Sequence, residues 1–246
     1  MLILIDIGNS NIVLAEYVKQ IGETYRYNTD KKKSVDEYYV LLKDRISNAS
    51  NVIISSVVPE LNLIIKNVFK KYLNIDPIFI GPGVKTGIQI KVDNPKEVGS
   101  DLVCDAAAAI KYYSDNAVIV DMGTATTFTL IENKVIKGVA ITTGLVTQKD
   151  ALVGKASQLA QFEFKTPKSI LGTNTIDSLN AGLLFTNSLM IKAMVDEIKK
   201  QYKVNPKVIV TGGASRFIKD LLNGDTIYDD LLLLKGLQVI YEKNTK

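Results

Sequence analysis

Histidine is absent from this 246-residue chain, and cysteine occurs once, at Cys104. The first absence removes the Ser-His-Asp triad, the Cys-His dyad, histidine-ligated zinc or iron, and imidazole as general base. The second removes any internal disulfide framework and any cysteine-rich zinc site. Catalysis must then rest on carboxylates, lysines, hydroxyls, backbone amides and bound cations. No apolar run approaches the roughly 20 residues of a membrane helix. The opening MLILID is short and lacks the basic flank of a signal peptide, so it reads as a buried strand. No membrane partner is expected, and the cytoplasm is the expected location. The net charge is only +4, and Lys31, Lys32 and Lys33 form the one dense basic run, which reads as a solvated loop. A nucleic-acid surface needs more basic residues with aromatics between them, so nucleic acid is not expected as a partner.

What is present is ordinary in composition and ordered in pattern. Hydrophobic residues make up 46% and charged residues 23%, which places the chain among globular domains with a core. Its length allows one large domain or two of roughly 100 to 150 residues. Residues 2–6, 12–18 and 24–29 read as three short strands, the first two joined by Gly8, Asn9, Ser10 and Asn11. A helix follows at 35–47 with Ser34 as its N-cap, then a buried strand at 51–56, a helix to residue 73 and a strand at 77–81.

The same order restarts at residue 117. AVIVD, TTFTLI and VIKGVAI form a second three-strand meander, a long helical region runs from about 145 to 202, and KVIVTGG at 207–213 matches NVIISSV in character. The chain is therefore expected to be α/β, built from two duplicated ribonuclease H-like domains at 1–115 and 116–246 that close on a nucleotide cleft, the second enlarged by a helical insertion. This outline resembles the actin, sugar kinase and heat-shock ATPase superfamily, and by itself supports only an analogy.

Within the repeat, an Asp-x-Gly turn is written twice, as DIGNSN and as DMGTAT. Gly8 and Gly123 let the backbone turn sharply against a ligand, and Asn9, Ser10, Asn11, Thr124, Thr126 and Thr127 offer donors to phosphate oxygens. Asp6 and Asp121 stand at strand ends, where a carboxylate can hold a cation or its waters. Either turn alone is equally a plain hairpin; their repetition at the same place in each copy favours the ligand role. TGGAS at 211–215 leaves a buried strand toward an expected helix, SRFIKDLL, whose start favours an anion while the paired glycines admit a planar base or ribose. Gly99, Ser100 and Asp101 open an Ala-rich helix on which Asp105 shares a face with Asp101. An aspartate can accept or orient a hydroxyl proton for phosphoryl transfer, and it can equally serve the helix dipole.

Taken in order, DIGNSN, GPGVKTGI, VDNPKEVGSD, DMGTATTF, TPKSILGTNTIDSLNAG, TGGA and LLLKGLQVIYEKN resemble the type III pantothenate kinases across nearly the whole chain. The resemblance implies ATP-dependent phosphorylation of the terminal hydroxyl of pantothenate, the first step toward coenzyme A. It implies a first phosphate loop at Asp6, Ile7, Gly8, Asn9, Ser10, Asn11, Ile12 and Val13, and Asp101 as the base. It implies Asp121 as ligand of a monovalent cation, K⁺ or NH₄⁺, with Mg²⁺ accompanying ATP and Thr124 on the ATP phosphates. Gly99, Ser100, Asp101, Leu102 and Thr175 fall at its substrate-binding positions, and a homodimer is implied.

The chain departs from the family's pattern on the side that would take the pantothenate carboxylate. The usual Gly-Ala-Asp-Arg reads Gly99, Ser100, Asp101, Leu102, so the expected basic partner is missing. Gly-Gly-x-Ile-x-Pro-Gly reads Gly138 to Gly144 without its proline, and Leu-Pro-Arg reads Leu159, Ala160, Gln161. The readings left open are a pantothenate kinase using Lys85, Lys96 or Lys155 for the carboxylate, a kinase for a different alcohol, and a non-catalytic relative that keeps the fold.

Overall fold

The computed structural model describes every residue except 157, 158, 160, 223 and 246, so Ala160 of the altered Leu-Pro-Arg stretch lies outside it. In chain order the elements begin with β1 (Leu2–Ile7), β2 (Asn11–Tyr17), β3 (Ile21–Asn28), α1 (Val35–Ile46), β4 (Asn51–Ser56), α2 (Pro59–Leu73), β5 (Ile78–Phe79), β6 (Gln89–Ile90) and α3 (Ser100–Tyr112). They continue with β7 (Ala117–Met122), β8 (Ala125–Glu132), β9 (Val135–Thr143), α4 (Leu145–Lys155), α5 (Thr175–Tyr202), β10 (Lys207–Thr211), β11 (Thr226–Tyr228) and α6 (Leu232–Thr245).

The chain forms two compact units, the first from Met1–Gln89, Asp93–Lys111 and Leu231–Lys246, the second from Ile90–Val92 and Tyr112–Asp230. In the first, the sheet order is β3-β2-β1-β4-β5. β1 pairs antiparallel with β2 and parallel with β4, so it lies at the centre of the sheet. A central strand covered on both faces is apolar on both, which is why Leu2, Ile3, Leu4 and Ile5 do not alternate with polar residues. Side chains still alternate between faces: Ile3 and Ile5 pack with Tyr38 and Leu42 of α1 and Leu61, Ile65 and Phe69 of α2. Leu2 and Leu4 pack on the other face with Ile53, with Cys104 and Ala107 of α3, and with Leu234, Leu237 and Ile240 of α6. Ser34 caps α1 as expected, exchanging bonds with Glu37 in a capping box, a device that contributes about 1 kcal/mol.

The second unit repeats this plan. Its order, β11-β10-β7-β8-β9-β6, contains β9-β8-β7-β10-β11 with the same directions as the first sheet. Val118 and Val120 of β7 and Val210 of β10 pack with Leu183, Leu184, Ile191 and Val195 of α5.

Three expectations are adjusted. The helical region from 145 to 202 is two helices, and 156–174 is not helical among the described residues. Pro167 removes a backbone donor there, and Asn174 caps α5 by accepting from the Asp177 amide. The expected helix SRFIKDLL is a pair of three-residue 3₁₀ turns, Ser215–Phe217 and Lys219–Leu221. Its helix-like spacing is real, because Ile218 and Leu222 are both buried, but the chain turns after them to start β11. Finally, α6 lies outside the expected grouping of 116–246: it packs on β1 and β4 of the first unit because its apolar stripe completes that unit's second face.

Candidate active site

In the first unit, β1 ends one residue past Asp6, and Gly8 closes the turn by donating its amide to the Asn11 carbonyl at 2.9 Å. Thr29, just after β3, holds the turn from the side. Its amide donates to the Ser10 carbonyl at 3.0 Å and its hydroxyl to the Gly8 carbonyl at 2.6 Å. Asn9 and Ser10 are exposed, Asn11 and Val13 half-buried, and Ile7 and Ile12 fully buried in the core. The loop can therefore offer a ligand its backbone amides and the tips of Asn9 and Ser10, while its isoleucines anchor it. Across the sheet Asp6 stands opposite Val13 of β2 and Ser55 of β4.

The second turn is built alike. Gly123 donates to the Ala125 carbonyl at 3.0 Å, and the residues after β9 hold it: Gly144 donates its amide to Thr124 O at 3.1 Å and Thr147 its hydroxyl to the same oxygen at 2.7 Å. A side chain at Gly144 would overlap the Gly123 carbonyl, so the glycine is required by close approach. Asp121 stands opposite Thr127 of β8 and Thr211 of β10. Residues directly opposite share a face, so one carboxylate and two hydroxyls gather there. The Thr127 hydroxyl is buried and has no hydrogen-bond partner among the described residues. Thr126 is buried on the other face of its strand, so of the three threonines expected to donate, Thr124 alone is exposed.

Gly212, at φ +86°, leads out of β10 directly against this carboxylate. A Cβ there would overlap an Asp121 carboxylate oxygen and stand 2.5 Å from the Met122 amide nitrogen. The first glycine of TGGAS thus makes room for Asp121, and the helix start expected to attract an anion is absent.

Asp101 is the second residue of α3. Its carboxylate accepts from the Leu102 amide at 2.8 Å. Burial pushes its pKa above the ordinary carboxylate range, opposed by the backbone amides of Leu102 and of Asp101 itself. One turn on, Cys104 is fully buried, and its thiol is held far up by burial and by Asp105, Asp6 and Asp101 in that order. The Ser55 hydroxyl opposes the shift without reversing it, so the thiol stays protonated and unreactive.

Leu102 is buried, so position 102 faces the interior of α3's packing. Lys85, Lys96 and Lys155 are all exposed; the backbone of Lys85 is tied on both sides to Asn244 of α6. Thr175 is exposed at the first position of α5 in the second unit. Sequence reasoning passed over Ser55, Ser56, Thr29 and Thr147, and took Thr211 only as the first residue of TGGAS. Aligning the two copies would have paired Ser55 with Thr211, because each stands opposite the aspartate of its unit's central strand.

Two sheets of one order, each with an Asp-x-Gly turn beside its central strand, define the actin-like ATPase and sugar kinase architecture. Over 99% of this chain and 96% of the other, a protein of Sinorhizobium meliloti named for 2-dehydro-3-deoxygalactonokinase shares the fold at 10% identity and a TM-score of 0.65. A Campylobacter jejuni protein of the Baf family, whose name calls it a transcriptional activator, matches 98% of each chain at 22% identity and a TM-score of 0.66. At the level of sequence, a type III pantothenate kinase of Halalkalibacterium halodurans is 40% identical over 99% of this chain and 100% of its own length. The family model for type III pantothenate kinase matches residues 2–197, and the chain belongs to that family.

Proposed function

We propose that this chain transfers the γ-phosphoryl group of ATP to the terminal hydroxyl of pantothenate, the entry step of coenzyme A biosynthesis, in the cytoplasm and as a homodimer. The observation that carries the reading is Asp101: a carboxylate with a pKa raised by burial, at a helix start, in the neighbourhood of the Asp6 turn. With no histidine in the chain, a carboxylate is the natural acceptor of the hydroxyl proton. Phosphoryl transfer asks the protein mainly to position groups and to offset charge. Asp101 accepts or orients the pantothenate hydroxyl proton. The turn from Asp6 to Val13 binds phosphate oxygens through its backbone amides, and Thr124 contacts the ATP phosphates. Gly99 and Thr175 serve as substrate-binding residues, and because Leu102 offers no charge, the carboxylate goes to Lys85, Lys96 or Lys155.

The set of Asp121, Thr127 and Thr211 fits a hard cation, since its donors are all oxygen and the buried Thr127 hydroxyl has no hydrogen-bond partner among the described residues. Bound there, K⁺ or NH₄⁺ supplies positive charge beside the Thr124 turn, and Mg²⁺ arrives on ATP. Release of ADP by purified protein, measured with and without pantothenate in potassium and in sodium buffer, tests the reading. Pantothenate-dependent release that is faster in potassium is expected; its absence in both buffers overturns the proposal.

The buried Leu102 favours one second reading, a kinase for an alcohol without a carboxylate. A pantothenate analogue whose carboxylate is replaced by a hydroxymethyl group separates the two. A higher kcat/KM for the analogue than for pantothenate supports the second.

A further inference from the structure

The start of α3 is tied to the end of β4 through one hydroxyl. Ser100 Oγ lies 3.0 Å from Ser55 Oγ, accepts from the Ser56 amide at 3.0 Å, and donates to the Ser56 carbonyl at 3.0 Å. A serine hydroxyl has one proton and two lone pairs, so these contacts use it fully, with Ser55 as the remaining donor. Ser55 is itself fully buried and stands in register with Asp6. A continuous path therefore runs from Asp6 on β1, across Ser55 on β4, through Ser100 to Asp101.

The other side of Asp101 is shaped by Gly99. A Cβ at Gly99 would overlap an Asp101 carboxylate oxygen; the remaining near atoms are Asp101 Cγ at 3.3 Å and Val57 Cγ1 at 3.6 Å. The carboxylate thus lies over a bare Cα in the one place where its own side chain is the obstacle. Gly99 admits the orientation, and the serines fix the backbone from which it projects.

We propose that Ser55 and Ser100 form a hydroxyl clamp that positions Asp101 beside the Asp6 turn, Ser100 serving this end and offering no hydroxyl to the substrate. The inference rests on Asp101 being the base of the proposed reaction.

The test is steady-state kinetics with ATP and pantothenate on the full-length protein. Ser100→Ala and Ser55→Ala should each lower kcat about tenfold, the smaller end of what misplacing a reacting group costs, with KM for both substrates changed less than about twofold. The double variant should cost no more than the worse single one, because the two hydroxyls form one contact. Ser100→Thr and Ser100→Val form a matched pair of equal shape, so the comparison holds even if the alanine variants fold poorly. Threonine should retain most of the turnover and valine lose it. Equal kcat in the threonine and valine variants, alongside an inactive Asp101→Asn, overturns the clamp and leaves the base in place. Full turnover in Asp101→Asn, or no pantothenate-dependent turnover in the unmodified protein, overturns the underlying reading and the clamp with it.

Discussion

The two Asp-x-Gly hairpins share a backbone plan and part company around their carboxylates. Both turns are closed by a glycine amide and held from the side by a hydroxyl just beyond the third strand, Thr29 in one unit and Thr147 in the other. Asp6, however, faces Val13 and Ser55, whereas Asp121 faces Thr127 and Thr211. One carboxylate has an apolar neighbour and a hydroxyl that is already in contact with Ser100; the other has two hydroxyls, one of them with no hydrogen-bond partner among the described residues. Duplication supplied the geometry, and a few side chains then divided the labour. In the proposed reaction the first copy holds phosphate beside the base, and the second holds the cation.

The largest test of that division compares the aspartates. Asp101→Asn should lower kcat about 10²- to 10⁴-fold, while Asp121→Asn should lose on the order of tenfold, the scale of one charge-assisted contact, together with the preference for potassium. Equal losses would dissolve the contrast. The same Asp101→Asn protein should melt at a higher temperature than the parent at neutral pH. Burial raises the folded pKa of Asp101 above its unfolded value, so ionisation near neutrality costs the fold stability. That cost fades as pH falls through the folded pKa and is gone below the unfolded one, so the two melting curves should converge in acid.

Gly212 comes next. With φ at +86° and the Met122 backbone 2.5 Å from any added Cβ, Gly212→Ala should destabilise the protein by about 2–3 kcal/mol in urea titration. The first unit has no glycine at the corresponding Ser56, so no substitution there should match it. Smaller still are Thr29→Val and Thr147→Val, each expected to cost about 1 kcal/mol in the same titration; similar losses would show that the two clasps are equivalent. The smallest effect is at the turn glycines. Gly8→Ala meets the Asn11 carbonyl at 3.2 Å and Gly123→Ala meets Ala125 O at 3.5 Å, so the first should lower Tm slightly more than the second, with both under about 1 kcal/mol.

The repeat was legible because a central strand covered on both faces is written as an unbroken apolar run, and two such runs ended in the same turn. The sugar kinase architecture and the position of Asp101 on its helix followed. The 28 residues of α5 were legible as helix, but its start was not. Residues 145–202 carry enough apolar spacing to hide an interruption marked only by Pro167, Gly172 and the capping Asn174. SRFIKDLL misled for the opposite reason: burial at helical spacing is as available to consecutive 3₁₀ turns as to an α-helix. Ser55 and Ser100 were invisible as partners because nothing local to either residue reports a contact across 45 positions of chain.

The packing of α6 on the first unit has a consequence for synthesis. Leu234, Leu237 and Ile240 cover Leu4 and Ile53, and Gly236 lets the helix backbone approach that of Cys104 so closely that a methyl would overlap the Cys104 carbonyl. Domains that emerge first from the ribosome generally fold first. Here the half that emerges first has one face of its sheet covered by α3 alone until residues 231–246 leave the tunnel, whereas every residue of the second unit has by then been made. The first unit is therefore the last to be finished, and a chain cut short at residue 230 would have every residue of the second unit while Leu4 and Ile53 of the first lack the cover of α6.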